Sequence, residues 1–124
     1  MFFFKKKAKK ATSDPVKVIR LRMFFGLSIP DGGVISEEEW MLFQRTEIVK
    51  VFDNFNVVES VGYYKGEPER SKILTAIMKY EELEKAKKLA AIYSKQFRQE
   101  SVMLVSIAVM EWDFVGADYI DECD

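Results

Sequence analysis

The order of strand and helix patterns along the chain predicts an α+β domain of the ferredoxin-like type, with the element order β-α-β-β-α-β. Three observations support this prediction. Four segments have the alternating or continuously apolar pattern of β-strands. In two other segments the apolar residues recur at helical spacing, and a short polar link joins the second strand to the third. Right-handed crossovers then predict a four-stranded antiparallel sheet in the order 4-1-3-2, with both helices on one face.

The first half of the chain carries a strand, a loop and a helix. Residues 16–25 are predicted to be a strand because their side chains alternate between two faces. One face is apolar, and the other carries both apolar and charged side chains. Residues 26–33 contain three glycines and a proline, which are typical of a loop. Ser36 and Glu39 have the spacing of a capping box, so a helix is predicted to begin there and to end near Phe52.

The second half carries a hairpin, a helix and a last strand. Residues 55–64 and 70–79 are predicted strands, and the short turn at 65–68 makes them a hairpin. Residues 81–98 show the clearest helical stripe. Residues 101–112 are predicted to be the fourth strand, and they are apolar on both faces.

A strand that is apolar on both faces has a consequence for assembly. Both helices are predicted on one side of the sheet, so the other side has no helix to cover it. A contiguous apolar patch of several hundred Å² is unusual on a monomer. The sequence therefore predicts a homo-oligomer, with a dimer favoured. The alternative is that the C-terminal segment folds over this face or crosses to a partner.

Composition limits the domain organisation and the chemistry. The chain has 124 residues, no histidine and one cysteine, so it forms one domain without a disulfide framework or a Ser-His-Asp triad. We expect a basic arm over 1–15, the domain over 16–112 and an acidic tail over 113–124. No apolar run approaches the roughly 20 residues of a spanning helix. Phenylalanines precede the lysines in the arm, the reverse of a signal peptide, which favours a cytoplasmic location.

The predicted topology brings four polar segments to one edge of the sheet. These segments are the end of strand one, the start of helix one, the hairpin turn, and the link from helix two to strand four. Backbone amides there can hold an anion, Arg70 and Lys72 add charge, and aromatic rings can stack on a flat ligand. A Glu69–Glu100 pair would suit acid–base work. The alternative is that the same residues serve only as turns and as a polar clasp that holds the loops together. The candidate ligand-binding residues are Trp40, Tyr63, Glu69, Arg70, Ser71, Gln99, Glu100 and Ser101.

Four motifs along the chain carry a family resemblance. They are Phe24-Phe-Gly26, the run from Asp31 to Trp40, the run from Glu69 to Leu74, and the run from Phe97 to Val102. In this order they resemble the family called domain of unknown function 3574, over roughly residues 18–112. The resemblance implies a small bacterial protein, and it makes most of the candidate residues family motif positions: Trp40, Glu69, Ser71, Gln99, Glu100 and Ser101.

Three functions follow from these features, and they belong to different classes. The favoured one is a non-catalytic interaction module that self-associates through its sheet. The second is a small-molecule or anion-binding protein, enzymatic or not, with its site at the shared edge. The third is nucleic-acid binding through the lysine arm, although the strands lack the exposed basic-aromatic pattern of an RNA-recognition domain. No cofactor and no metal are predicted, and whether the chain is an enzyme stays open.

Overall fold

A computed structural model describes residues 16–122. A π-helical segment, Gln44–Ile48, and a short 3-10 turn, Tyr80–Glu82, accompany the regular elements. The structure confirms an α+β domain with four strands. In chain order the elements are β1 (Val18–Gly26), α1 (Glu37–Phe43), α2 (Val49–Val51), β2 (Asn56–Tyr64), β3 (Glu67–Lys79), α3 (Leu83–Gln96), β4 (Met103–Ala108) and α4 (Tyr119–Glu122).

The four strands form one sheet in the order β2-β3-β1-β4. Each neighbouring pair is antiparallel. Counted from the opposite edge, this order reads 4-1-3-2, the order that right-handed crossovers predict for this chain. The strand that comes first in the chain therefore lies in the interior of the sheet, and the last strand lies at an edge.

The hairpin between β2 and β3 is tighter than predicted. Lys65 and Gly66 both have positive φ angles, 51° and 84°. Two such residues in succession form the two-residue turn that matches the twist of a hairpin. Pairing therefore resumes at Glu67, opposite Tyr64, and the predicted turn over 65–68 was too long.

The last strand is shorter than the predicted 101–112. Strand β4 ends at Ala108, which pairs with Ile19 near the start of β1. The Val109 amide still donates to the Val18 carbonyl at 2.9 Å. Among the described strands β4 has one neighbour, β1, and pairing stops there because β1 begins at Val18.

The helices depart from the predicted count of two. The capping box forms as expected: the Glu39 amide donates to Ser36 Oγ at 3.0 Å, and the Ser36 amide donates to Glu39 Oε1 at 2.9 Å. The stretch that follows is divided, because Val49 donates to the carbonyl of Gln44, five residues back, and this widens the helix. The acidic tail also forms a short helix, α4, that its composition did not predict.

Aromatic rings dominate the core between the sheet and the helices. The Phe25 ring centroid lies 5.2 Å from that of Trp40, 6.1 Å from that of Phe43 and 4.8 Å from that of Tyr93. None of these four side chains is more than 1% exposed. Tilted and edge-to-face contacts of this kind add to the stabilisation from burial. Strand β1 and the helices α1 and α3 are thus joined through one aromatic cluster.

The Tyr93 hydroxyl group makes a long-range hydrogen bond at the end of β1. It donates to the Gly26 carbonyl at 2.6 Å. Burial, with a smaller contribution from the charge of Glu39, raises the pKa of Tyr93, so the hydroxyl group stays protonated and able to donate. This bond ties α3 to the point where the chain leaves the sheet.

The side of the sheet that faces away from the helices keeps apolar side chains exposed. We call this side the open face. In one row across all four strands it carries Val58, Ile73, Phe24 and Met103. Large fractions of several of its side chains are exposed: Val58 57%, Met103 57%, Ile107 48%, Val105 39% and Ile77 38%.

The segment after β4 is exposed along much of its length. Met110, Val115 and Ile120 are strongly exposed. Within residues 16–122, no helix is both long and apolar enough to cross a membrane.

Replacing Tyr93 by Phe should destabilise the fold, because the Gly26 carbonyl loses its short hydrogen bond while the ring stays in place. The expected loss is about 1–2 kcal/mol in the free energy of unfolding, measured by chemical denaturation. Tyr63→Phe is the control, since Tyr63 is 73% exposed, and it should change the same quantity by less than about 0.5 kcal/mol. Equal values for the two variants would contradict a stabilising role for the Tyr93 bond.

Candidate functional site

Gly26 lies at the centre of the candidate site. A Cβ atom built on Gly26 would lie 3.1 Å from Gln99 Oε1 and 3.2 Å from Glu69 Oε2. Both distances are tighter than ordinary packing contacts. Only glycine lets these two side-chain oxygens approach the strand so closely. We call Gly26, Glu69 and Gln99 the Gly26 corner.

Gln99 reaches this corner because of how α3 ends. Arg98 takes a positive φ of 54°, and the Gln99 amide donates to the Ser94 carbonyl at 2.9 Å. This is the Schellman pattern that commonly ends a helix. The Gln99 side chain then donates from Nε2 to the carbonyls of Ser28 at 2.8 Å and Phe97 at 3.3 Å. Its Oε1 is therefore the atom turned to Gly26.

Glu69 comes to the corner from β3. Alternation along the strand places Glu69 and Ser71 on the open face, and Ser71 pairs directly with Gly26. Glu69 is half-buried. Within residues 16–122 its carboxylate makes no hydrogen bond and no ion pair. The structure thus brings together Glu69, Ser71 and Gln99, three of the predicted residues.

A second polar cluster lies on the opposite, helix-covered side of the same edge. Lys72 is 6% exposed, and its Nζ donates to Glu37 Oε1 at 3.0 Å and to Glu59 Oε2 at 3.1 Å. Arg70 Nη2 donates to the same Glu59 oxygen at 2.8 Å. Two cations and two carboxylates therefore neutralise each other here. We call Lys72, Arg70, Glu37 and Glu59 the Lys72 cluster, and it links the first turn of α1 to the β2–β3 hairpin.

The pKa values in this second cluster follow from its contacts. Hydrogen bonds from Lys72 and Arg70, with their positive charges, lower the pKa of Glu59 below its usual 4.5. Burial by itself lowers the pKa of Lys72, but the hydrogen bonds and charges of Glu37 and Glu59 outweigh it and raise the pKa above its usual 10.5. Both shifts favour the charged forms at neutral pH.

Trp40 and Tyr63 do not form a stacking surface together. Trp40 is 1% exposed, and its ring lies in the aromatic core with Nε1 donating to Gln44 Oε1 at 3.0 Å. Tyr63 lies near the hairpin turn and is 73% exposed. The expectation that the Trp40 ring stacks on a ligand is wrong, because core packing encloses the ring.

The last two predicted residues lie beside Gln99. Glu100 and Ser101 are exposed and lie along a shallow groove between α3 and β4 that Gln99 also lines. Within the described chain neither forms a hydrogen bond or an ion pair. The predicted Glu69–Glu100 pair for acid–base work has no contact between its members to support it.

The start of α1 and the preceding loop are poorly suited to an anion. The Glu39 amide already donates to Ser36, and three glutamates, residues 37–39, occupy the first turn. The Gly32 amide donates to the Ile29 carbonyl, so the loop closes on itself as a turn. Anions are repelled by this arrangement, whereas the Gly26 corner offers acceptor oxygens. The lysine-rich arm lies outside the described residues.

Two members of the Lys72 cluster, Glu37 and Glu59, were missed in the sequence. The missing information was the register of the hairpin. Once the turn is placed at Lys65 and Gly66, counting back along both strands sets Glu59 opposite Lys72. Across the described residues, no group of three or more potential ligand side chains is arranged to hold a metal ion.

The chain belongs to a family without an assigned activity. Residues 20–112 match the family described as "Protein of unknown function (DUF3574)", as the four motifs suggested. No curated protein matches the chain. The match covers both the Gly26 corner and the Lys72 cluster.

Solved structures show the same fold at low identity. A CutA protein from Synechococcus elongatus, in complex with a Bis-Tris molecule, is 12% identical with a TM-score of 0.51, and the match covers 86% of this chain and 90% of that one. A phage SAM lyase in its apo state is 16% identical with a TM-score of 0.51, and the match covers 85% of this chain and 100% of that one. These similarities establish a ferredoxin-like fold.

The Lys72 cluster should make stability depend on pH. A carboxyl group with a lowered folded-state pKa stabilises the protein above its unfolded pKa, near 4.5, and this contribution is lost as the pH falls towards the folded value. The raised pKa of Lys72 acts oppositely, and its contribution is lost only as the pH rises beyond 10.5. Unfolding free energies between about pH 3 and about pH 7 should fall less steeply in acid for Glu59→Gln than for the wild-type protein.

Glu67→Gln is the matched control for this titration. Glu67 lies in the same hairpin, is exposed, and makes no ion pair within residues 16–122. Its substitution should leave the acid limb unchanged. An acid limb that is equally steep in Glu59→Gln and the wild-type protein would show that the cluster adds nothing to pH-dependent stability.

Proposed function

We propose that this protein is a non-catalytic interaction module that self-associates through the open face of its sheet, with a second copy as the occupant of that face. The observation that supports this proposal is the apolar row of Val58, Ile73, Phe24 and Met103, which crosses all four strands. Single exposed apolar side chains are ordinary on protein surfaces. A contiguous patch of them is typical of an interaction surface.

The C-terminal segment supports a second copy as the occupant. Val115 and Ile120 are 66% and 71% exposed, so the described part of their own chain does not bury them. Acidic residues such as Glu111 and Asp121 accompany them. An apolar, acidic segment is complementary to an apolar face that carries basic residues.

The basic residues of the open face lie on its central strand. Arg20 and Arg22 alternate along β1 on the side opposite the core residues Leu21 and Met23. The Nε atom of Arg20 is buried and has no hydrogen-bond partner in the described part of the chain. A buried donor without an acceptor is unfavourable. Arg20 as a whole is only half-buried, so its charge stays available to a carboxylate of the second copy.

The size of the face indicates why the C-terminal segment is needed as well. Four strands span roughly 19 Å, and the five positions from Ile73 to Ile77 span roughly 17 Å, which gives a projected area of roughly 300 Å². A standard interface buries roughly 800 Å² on each partner. Packing over these positions supplies part of such an interface, and the exposed side chains after β4 supply additional area. In a two-fold dimer each copy places its C-terminal segment on the other copy, so this contact is made twice.

Native mass spectrometry and light scattering on the full-length chain test the proposal. The wild-type protein should be a dimer or a larger assembly at micromolar concentration. Ile107→Lys should convert it to a monomer, because the substitution places a charge in the open face. Ile92→Lys is the matched control, since Ile92 is 44% exposed on α3 against 48% for Ile107.

Two outcomes would contradict self-association through this face. One is a wild-type protein that stays monomeric as its concentration rises. The other is equal dissociation by Ile107→Lys and Ile92→Lys, with circular dichroism showing both variants folded. The paired change Val115→Ser and Ile120→Ser should weaken the assembly without abolishing the fold, because it removes only the contribution of the C-terminal segment.

A further inference from the structure

We propose that the Gly26 corner is a binding site for a small organic cation with N–H donors, a primary ammonium or a guanidinium group. The corner offers two acceptor oxygens over one glycine, Glu69 Oε2 and Gln99 Oε1. Ser71, next to Gly26 in the sheet register, adds a hydroxyl group on the same face. The proposal is independent of self-association through the sheet.

The orientation of the Gln99 amide makes its contribution specific. Nε2 is held by the carbonyls of Ser28 and Phe97. The opposite orientation would set Oε1 against these two carbonyl oxygens, which accept and cannot donate. Gln99 can therefore offer the corner only an acceptor.

Glu69 supplies a charge that the neighbouring cations leave unbalanced. Arg70 and Lys72 point to the other side of the sheet and pair with Glu59 and Glu37. Arg98, beside Gln99, pairs with Asp31 at 3.1 Å. Within residues 16–122, these three cations are thus engaged elsewhere. Glu69 is half-buried at the corner, unlike the exposed Glu67 and Glu100.

These groups define the class of ligand by their hydrogen-bonding capacity. A carboxylate and an oriented amide oxygen only accept, so the ligand must donate. An ammonium group has three donors and no acceptor, and a guanidinium group presents several donors in a plane. Their bonds to a carboxylate are charge-assisted and stronger than neutral ones. A quaternary ammonium ion has the charge but no N–H group and should not bind.

Isothermal titration calorimetry of the full-length chain with agmatine and with choline tests the site. Agmatine carries both an ammonium and a guanidinium group, whereas choline is a cation without an N–H group. Agmatine should bind at least about tenfold more tightly than choline. Glu69→Gln should weaken agmatine binding about tenfold or more, because it removes the charge with little change in shape. Glu81→Gln, an exposed glutamate between β3 and α3 at the opposite edge of the sheet, should bind as the wild-type protein does.

A second variant keeps the charge and blocks the space. Gly26→Ala adds a Cβ atom at 3.1–3.2 Å from the two oxygens, so they must move apart, and agmatine binding should fall while the chain remains folded. Absence of agmatine binding, equal binding of choline, or full binding by Glu69→Gln would each overturn the proposal.

The Ile107→Lys variant separates this site from the oligomeric state. Agmatine should bind it as it binds the wild-type chain, whether or not the wild-type chain self-associates. If agmatine binds only the Ile107→Lys variant, a side chain of a second copy fills the corner in the assembly, and the small-molecule proposal fails while self-association stands.

Discussion

The one-sided coverage of the sheet is the constraint on which the rest of this structure depends. Both crossovers bring their helices to the same face, so the chain has one core, and the aromatic cluster around Phe25 fills it. Among residues 16–122, no helix covers the opposite side of the strands. β4 contributes most clearly to the exposed apolar surface, because it is apolar on both sides. Leu104 packs against the core, while Val105 and Ile107 remain exposed.

Gly26 makes contacts on both faces of the sheet. On the helix-covered face its carbonyl accepts the Tyr93 hydrogen bond, which joins α3 to β1. On the open face its missing side chain admits Glu69 and Gln99. Core packing therefore depends on the carbonyl of Gly26, whereas the candidate site depends on its lack of a side chain. Because the corner adjoins the apolar row at Phe24, a ligand there would lie next to the proposed interface between copies.

Charge pairing divides the acidic residues of this edge into two kinds. Glu37 and Glu59 are neutralised by Lys72 and Arg70, and their contribution is to stability. Glu69 points to the other side and has no such partner among residues 16–122. Neighbouring residues of one strand thus take different roles, since alternation sends Glu69 to the open face and Arg70 to the helix-covered face.

The sequence by itself determined the four strands, the element order, the capping box at Ser36 and the edge where the motifs gather, because these depend on local periodicity and on general rules of chain connection. It also indicated Glu69, Ser71 and Gln99. Only the tertiary structure decided that the Trp40 ring is too enclosed to stack on a ligand, that Glu59 pairs with Lys72, and that the first helix contains a π segment. These depend on strand register and on which surfaces pack together, and such contacts join residues far apart in the chain. The orientation of the Gln99 amide is of the same kind, since the carbonyls of Ser28 and Phe97 determine it.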